Sequence, residues 1–129
     1  MPSPVIDVVC LCADWCGTCQ EYKAAFAALE AGAPAHRYRW IDIEDEADLV
    51  GDVDVETFPT LMVAWQGRVL FAGPVLPGLP AAERLLAAQA ERVAAWAAQG
   101  VEPVQGPLGL PDDQVVAFAA LAAQLAAET

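Results

Sequence analysis

Two cysteines, Cys16 and Cys19, lie near the beginning of the chain, separated by two residues and directly after an apolar run. A thiol attacks a disulfide only as its thiolate, so a redox catalyst must stabilise that anion near neutral pH. The apolar spacing after Cys16 predicts a helix that begins at this cysteine, and the unpaired amides at a helix start favour a negatively charged sulfur. We therefore expect Cys16 to attack a substrate disulfide. Cys19, one turn further and more shielded, then displaces the captured sulfur and leaves an oxidised Cys16–Cys19 pair.

Other kinds of site also use a C-x-x-C spacing. It occurs in half of a four-ligand zinc site, and two buried structural thiols give the same pattern. No second C-x-x-C and no histidine pair follows in the sequence to complete a set of zinc ligands. We therefore favour redox chemistry, with no metal and no cofactor beyond the redox-active disulfide Cys16–Cys19. His36 is the only histidine and is far in sequence from every cysteine, so we expect it at the surface.

The segments around the cysteine pair alternate between strand and helix patterns. Residues 5–12 form an almost continuous apolar run, which is typical of a central strand covered on both faces. Residues 60–65 and 68–72 are β-rich and are separated by Gln66 and Gly67, which predicts a two-residue antiparallel hairpin. The other predicted elements are a helix at 16–32, a strand at 36–43, a short acidic helix at 44–50 and helices at 81–99 and 112–127. The order is βαβαββα, followed by one extra helix.

Two motifs together resemble those of the thioredoxin family: Ala-Asp-Trp-Cys-Gly-Thr-Cys at 13–19 and Phe-Pro-Thr-Leu at 58–61. The resemblance covers about residues 5–99. It implies a trimmed thioredoxin-like α/β fold with a mixed central sheet and an extra C-terminal helix, without the family's usual first strand and helix. It also implies a nucleophilic Cys16, a resolving Cys19 and a cis Phe58–Pro59 bond. The residues implied at the substrate-binding surface are Trp15, Gly17, Thr18, Phe58 and Pro59.

The sequence departs from the family pattern at two further cysteines. The family usually has a buried aspartate at the position of Cys10 and often a tryptophan at the position of Cys12. A buried thiol has its pKa raised and is a poor substitute for a carboxylate. We expect Cys10 and Cys12 to be small core residues on one face of the first strand, poorly placed to bridge each other. The alternative is that they are accessory thiols, one of them redox-active.

The charge balance disfavours some partners. Six basic and eighteen acidic residues give a net charge of -12, which repels nucleic acid and anionic lipid surfaces. Eight of the acidic residues lie within 42–56, which we interpret as a solvated face, with selection of basic partners as the alternative. No apolar run approaches the roughly 18 residues that span a bilayer, and the first residues lack a signal-peptide pattern. We therefore expect a cytoplasmic protein.

The chain length suits one catalytic domain with an appended segment. We expect residues 1–100 to form the thioredoxin-like domain and residues 101–111 a linker. Residues 112–129 are expected to form a helix that packs on the domain, joins a homodimer or docks a partner. The predicted function is reduction of protein disulfides, with an upstream reductase as second partner. The alternative is a non-catalytic accessory or scaffold domain that binds a partner at the Pro59 groove, a reading to which the missing carboxylate gives weight.

Overall fold

The computed structural model describes residues 4–13, 15–100 and 108–128, which form one sheet with helices on both faces. The strands are β1 (Asp7–Cys12), β2 (Arg37–Asp42), β3 (Thr60–Trp65) and β4 (Arg68–Pro74). The helices are α1 (Gly17–Gly32), α2 (Ala47–Val50), α3 (Leu79–Gln99) and α4 (Asp112–Ala127). The strands lie in the order β2-β1-β3-β4; β1 pairs in parallel with β2, and the other two pairings are antiparallel. The predicted mixed sheet and extra C-terminal helix are confirmed.

The bounds of several elements differ from the prediction by one to three residues, most of all for the short acidic helix. Helix α2 begins at Ala47 and not at residue 44; before it lies a turn in which the Asp42 carboxylate accepts the backbone N–H groups of Glu44 (2.8 Å) and Asp45 (3.1 Å). The predicted hairpin is confirmed. Its two turn residues, Gln66 and Gly67, have φ of 51° and 78°, the left-handed values that a two-residue hairpin requires. Residues 101–107 of the predicted linker lie outside the described residues.

Successive residues of β1 contribute to two hydrophobic cores, one on each face of the sheet. Val8, Cys10 and Cys12 lie in the core that includes side chains of α1 and α3. Val9 and Leu11 lie in the other core, with side chains of α2 and α4. Because both faces of a central strand are dry, its sequence is apolar almost throughout. The alternation also puts two cysteines on the same side of the sheet as α1.

Helix α4 covers the face of the sheet opposite to α1. Its buried side chains form one stripe: Ala117, Phe118, Leu121, Ala122 and Leu125. They pack in the same core as Val9 of β1 and Met62 of β3. Val116, on the other side of the helix, is 69% exposed. Within the described ranges, no helix is both long and apolar enough to cross a membrane.

Two polar contacts join the beginning of β1 to the beginning of β2. Asp7, the one charged residue in the first apolar run, is buried, and Arg37 Nε donates to its carboxylate at 2.6 Å. The Ile6 backbone N–H donates to Nδ1 of His36 at 3.1 Å. The prediction of a surface position for His36 was therefore incomplete, because the side chain is half-buried and pairs with the backbone of the neighbouring segment.

Candidate redox site

Cys16 lies where the chain passes from β1 into α1. Its backbone N–H donates to the carbonyl of Ala13 (3.0 Å), and its own carbonyl accepts the N–H of Gln20 (3.1 Å). Cys16 has extended backbone angles, φ −85° and ψ 121°, and is the N-cap residue of the helix. Its thiol is free and half-buried, so a substrate sulfur can approach it. The Cys16 sulfur therefore lies at the N-terminal end of α1, where the backbone N–H groups of a helix have no partner within the helix.

Cys19 lies one turn inside α1 and is 0% exposed. The structure pairs it with Cys12, and Cys16 remains a free thiol. This corrects the predicted Cys16–Cys19 disulfide, which is not the bond that this structure contains. It also corrects the expectation that Cys12 is merely a small core residue, although Cys12 is fully buried as expected.

The position of Cys12 explains this pairing. Cys12 is the last residue of β1 and lies in the same core as Cys19. The two Cα atoms are 5.8 Å apart, within the range of roughly 4.4–6.8 Å that disulfides span. The sequence carried one signal for this bond, a cysteine that ends a strand just before a helix with an inward-facing cysteine. That signal depends on the angle at which the helix leaves the strand, which spacing alone does not give.

Cys10 is the second free cysteine and is completely buried. Its sulfur lies 3.9 Å from Cys12 Sγ, close enough for a weak S–H donor contact. Burial raises the pKa of the Cys10 thiol to about 12, so it stays protonated far above neutral pH. Cys10 therefore cannot act as the general base that a carboxylate would supply at this position.

Tyr22 adds a second buried polar group beside Cys10. Its hydroxyl has no hydrogen-bond partner among the described residues. Burial raises the pKa of Tyr22 to about 12, and the neighbouring charge of an ionised Cys10 adds to the shift. Neither Cys10 nor Tyr22 carries a charge near neutral pH, so these two buried groups add no charge to the core that contains Cys12 and Cys19.

Two aromatic residues that the resemblance assigned to the substrate-binding surface are in contact. The rings of Trp15 and Phe58 meet edge to face with centroids 5.7 Å apart. Trp15 is 68% exposed, and its indole Nε1 donates to Glu44 Oε1 at 2.6 Å. Phe58 and Cys16 both pack, partly buried, against the core that contains Cys12. The structure therefore brings this aromatic pair to the part of the surface where Cys16 lies.

The segment after Phe58 is fixed by backbone contacts. The Phe58–Pro59 peptide bond is cis, as the resemblance implies. The Pro59 carbonyl accepts the N–H of Val75 (3.1 Å), and the Thr60 hydroxyl donates to the carbonyl of Thr57 (2.6 Å). The first bond holds the beginning of β3 against the end of β4, and the second closes the turn before β3.

The two residues between Cys16 and Cys19 form the first turn of α1. Gly17 is exposed and Thr18 is half-buried. A Cβ built on Gly17 would meet nothing within 4 Å, so the space beside Cys16 is open. In the described part of the chain, no three histidine, cysteine, aspartate or glutamate side chains are grouped to hold a metal ion. The chemistry that this arrangement offers is exchange among sulfur atoms.

One family model matches more than half of the chain. Residues 4–74, from β1 to β4, match the family model described as Thioredoxin. This range includes both motifs found in the sequence, at 13–19 and 58–61. None of the proteins with curated functional descriptions matches the chain.

Solved structures with a similar fold include thioredoxins from three parasites. The Fasciola hepatica thioredoxin is 21% identical, with a TM-score of 0.56 over 71% of this chain and 84% of that one. The thioredoxin of Trypanosoma brucei brucei is also 21% identical, with a TM-score of 0.52 over 71% and 76%. Thioredoxin-2 of a malaria parasite, described as a component of protein secretion machinery, is 15% identical, with a TM-score of 0.60 over 66% and 84%. At these identities the likeness shows the fold alone.

Proposed function

Because this chain belongs to the thioredoxin family, we propose that it is a protein thiol–disulfide oxidoreductase that reduces disulfides through Cys16 and Cys19. One observation carries the proposal. A free, half-buried thiol at the start of α1 stands three residues before a buried cysteine that is already engaged in a disulfide. Cys16 is thus a free thiol and Cys19 is part of a disulfide, the two states between which thiol–disulfide exchange moves a cysteine.

The proposed reaction begins with Cys12 and Cys19 reduced. The Cys16 thiolate attacks one sulfur of the substrate disulfide, a new S–S bond forms, and the other substrate sulfur leaves and takes up a proton. Cys19 then attacks Cys16 Sγ and releases the second substrate thiol. The substrate gains two electrons and two protons, and the protein is left with a Cys16–Cys19 disulfide. An upstream reductase returns the two electrons.

The aromatic pair supports a protein as substrate. Trp15 presents a large exposed ring, and Phe58 supports it from the side. Aromatic side chains of this kind are enriched at protein-binding surfaces because they bury much apolar area with few rotatable bonds. We assign Trp15, Gly17, Thr18, Phe58 and Pro59 to the surface that contacts the segment around the substrate disulfide.

The proposed partners follow from this chemistry and from the charge. They are protein disulfides and a reductase that accepts Cys16 as its target. The net charge of -12 disfavours nucleic acid and anionic lipid as further partners. We propose a cytoplasmic location, where a reducing thiol pool maintains the reduced form of Cys16 and Cys19.

A second candidate function is a non-catalytic accessory or scaffold domain that binds a partner at the Pro59 groove. The observation in its favour is the Cys12–Cys19 disulfide. While that bond exists, Cys19 cannot displace a substrate held on Cys16. The chain would then bind, or hold covalently, without turnover.

Reduction of insulin by a small dithiol, followed by precipitation of the free insulin chain, distinguishes the two candidates. We expect wild-type protein to accelerate the reaction, and Cys16→Ser to bring the rate down to that of the dithiol alone. Cys10→Ser is the matched control, because Cys10 is buried and protonated, and it should keep most of the rate. Equal loss from both variants, or no acceleration by the wild type, would overturn the proposed function.

A trapping experiment identifies the substrate. Cys19→Ser removes the resolving sulfur, so a captured protein should stay on Cys16 as a mixed disulfide that a reductant releases. The double variant Cys16→Ser/Cys19→Ser is the control for nonspecific capture.

A further inference from the structure

Cys19 has two possible sulfur partners in this fold. Cys12 is bonded to it from the end of β1, and Cys16, the N-cap residue of α1, lies three residues before it, the spacing of redox-active C-x-x-C pairs. Both Cys16 and Cys12 belong to or pack against the same core as Cys19. The Cys19 sulfur can therefore exchange its partner between a partly exposed thiol at the N-cap of its helix and a buried thiol on the sheet.

We propose that Cys12 is a third redox-active thiol, which takes over the disulfide from Cys16 by internal exchange at Cys19. This proposal rests on the proposed function, since it starts from the Cys16–Cys19 disulfide that substrate reduction leaves. The Cys12 thiolate attacks Cys19 Sγ, the Cys12–Cys19 bond forms, and the Cys16–Cys19 bond breaks. Cys16 leaves as a thiolate and takes up the proton that Cys12 gave to solvent. One disulfide is exchanged for another, so no oxidant or reductant is required.

The product of this exchange is the state that the structure contains. Cys12 and Cys19 are both 0% exposed, whereas Cys16 is a half-buried free thiol. An external thiol cannot reach the buried disulfide directly. Reduction therefore has to proceed back through Cys16, which attacks Cys19 and restores the outer disulfide for the reductase.

The exchange stops at Cys12. Cys10 Sγ is only 3.9 Å from Cys12 Sγ, but residues two apart on one extended strand hold their Cα atoms about 6.4–6.8 Å apart, at the upper limit for a disulfide, and their side chains point side by side instead of toward each other. Cys10 is therefore a matched control for Cys12, on the same strand, on the same face and equally buried.

The inner disulfide changes what Cys16 can do. With Cys19 reduced, a substrate captured on Cys16 is released by Cys19. With Cys19 bonded to Cys12, Cys16 can still capture a disulfide, but the resolving sulfur is occupied. The protein therefore turns over substrate when Cys19 is reduced and only captures it when Cys19 is bonded to Cys12. The two candidate functions then correspond to two redox states of one protein.

Digestion with a protease that cleaves before aspartate identifies which cysteine is bonded to Cys19. It separates residues 7–13, which hold Cys10 and Cys12, from residues 14–41, which hold Cys16 and Cys19. Reduced full-length protein is mixed with insulin, quenched with excess maleimide at successive times, digested and analysed by mass spectrometry without reduction. We expect an internal disulfide in 14–41 first, and then the two peptides linked through Cys12 and Cys19, with maleimide on Cys16. An oxidised protein that keeps only the internal disulfide while insulin is reduced would overturn the exchange and leave the proposed function standing. Linked peptides without any Cys16-dependent insulin reduction would overturn both.

Maleimide labelling of the oxidised protein gives a second readout. Wild type and Cys10→Ala should each keep a fast-labelling thiol at Cys16. In Cys12→Ala, and in Cys12→Ser as a second variant, Cys16 should be bonded to Cys19 and labelling should slow to the rate of buried Cys10. Fast labelling of Cys16 in both oxidised Cys12 variants would contradict the proposal, and the peptide map of the wild type decides the question even if neither variant folds.

Discussion

Trp15 and Phe58 meet edge to face at 5.7 Å, and Trp15 at the same time donates its indole N–H to Glu44. The ring is thus held by a neighbour from the loop before β3 and by a carboxylate from the turn before α2. An exposed aromatic side chain that is fixed from two sides loses little entropy when a partner covers it. This makes the pair a preorganised contact surface beside the Cys16 thiol.

Truncation of either ring should therefore impair protein substrates selectively. We expect Trp15→Ala and Phe58→Ala to lower kcat/KM for insulin reduction about tenfold, which corresponds to about 1.4 kcal/mol, and to change the reduction of a small aliphatic disulfide much less. Val116→Ala is the control, because Val116 is 69% exposed on α4, which covers the face of the sheet opposite to α1. If the two substrates lost the same factor, the rings would be acting on the thiol chemistry and not on docking.

Helix α4 should stabilise the fold through one stripe of buried side chains. Leu121 is fully buried in the second core, so Leu121→Ala should lower the free energy of unfolding by about 2–5 kcal/mol in a urea titration. Val116→Ala on the same helix should change it by less than about 0.5 kcal/mol, because Val116 is exposed. The native mass of both variants should be measured as well. A large loss for Val116→Ala with a fall in mass would instead indicate a homodimer interface through α4.

Two tyrosines offer a test of the unpartnered hydroxyl. Tyr22 buries its hydroxyl without a hydrogen-bond partner in the described residues, whereas the Tyr38 hydroxyl donates to the Ala33 carbonyl at 2.7 Å. Tyr22→Phe should leave the free energy of unfolding unchanged or raise it by up to about 1 kcal/mol, because a desolvated polar group is removed. Tyr38→Phe should lower it by about 1 kcal/mol. The same loss in both variants would mean that Tyr22 has a partner, such as a buried water.

Most of the fold was predictable because its elements carry strong local patterns. The continuous apolar run of β1 indicated a strand covered on both faces, and Gln66-Gly67 indicated the hairpin. The predicted start of α2 was wrong by three residues, because residues 44–46 form a turn in which the Asp42 carboxylate accepts two backbone N–H groups. Hydrophobic periodicity does not distinguish such a turn from the first turn of a helix.

The site was predictable only in part. The motif around Cys16 predicted a thiol at a helix start, and the resemblance predicted that Trp15 and Phe58 share a surface. The partner of Cys19 was not predictable from spacing. The sequence shows that Cys16 is three residues from Cys19, which favours that pair. The Cα atoms of Cys12 and Cys19 come within 5.8 Å only after the helix has packed on the sheet. A motif within one segment, such as Cys16 and Cys19, can be found in the sequence, whereas a disulfide between a strand and a helix depends on how the two pack.

His36 should make the stability of the protein dependent on mildly acidic pH. Its Nδ1 accepts the Ile6 N–H, so the folded state requires this nitrogen to be unprotonated. Burial lowers the pKa of His36 from its usual value, which again favours the neutral ring. Glu83 lines the same surface groove, but it is exposed and its charge is screened by solvent.

The sign of the effect follows from linkage. The unfolded state binds the proton at a pKa of about 6.5, and the folded state binds it only at lower pH, so the stabilising contribution is complete above about 6.5. It is lost as the pH falls from there through the pKa of the folded state. We expect the free energy of unfolding of wild type, measured in urea from pH 8 to pH 5, to fall over this range. His36→Asn keeps an acceptor near Nδ1 but does not titrate, and subtracting its curve removes the contribution of the carboxylates that both proteins share. Parallel curves for the two proteins would show that protonation of His36 does not oppose folding.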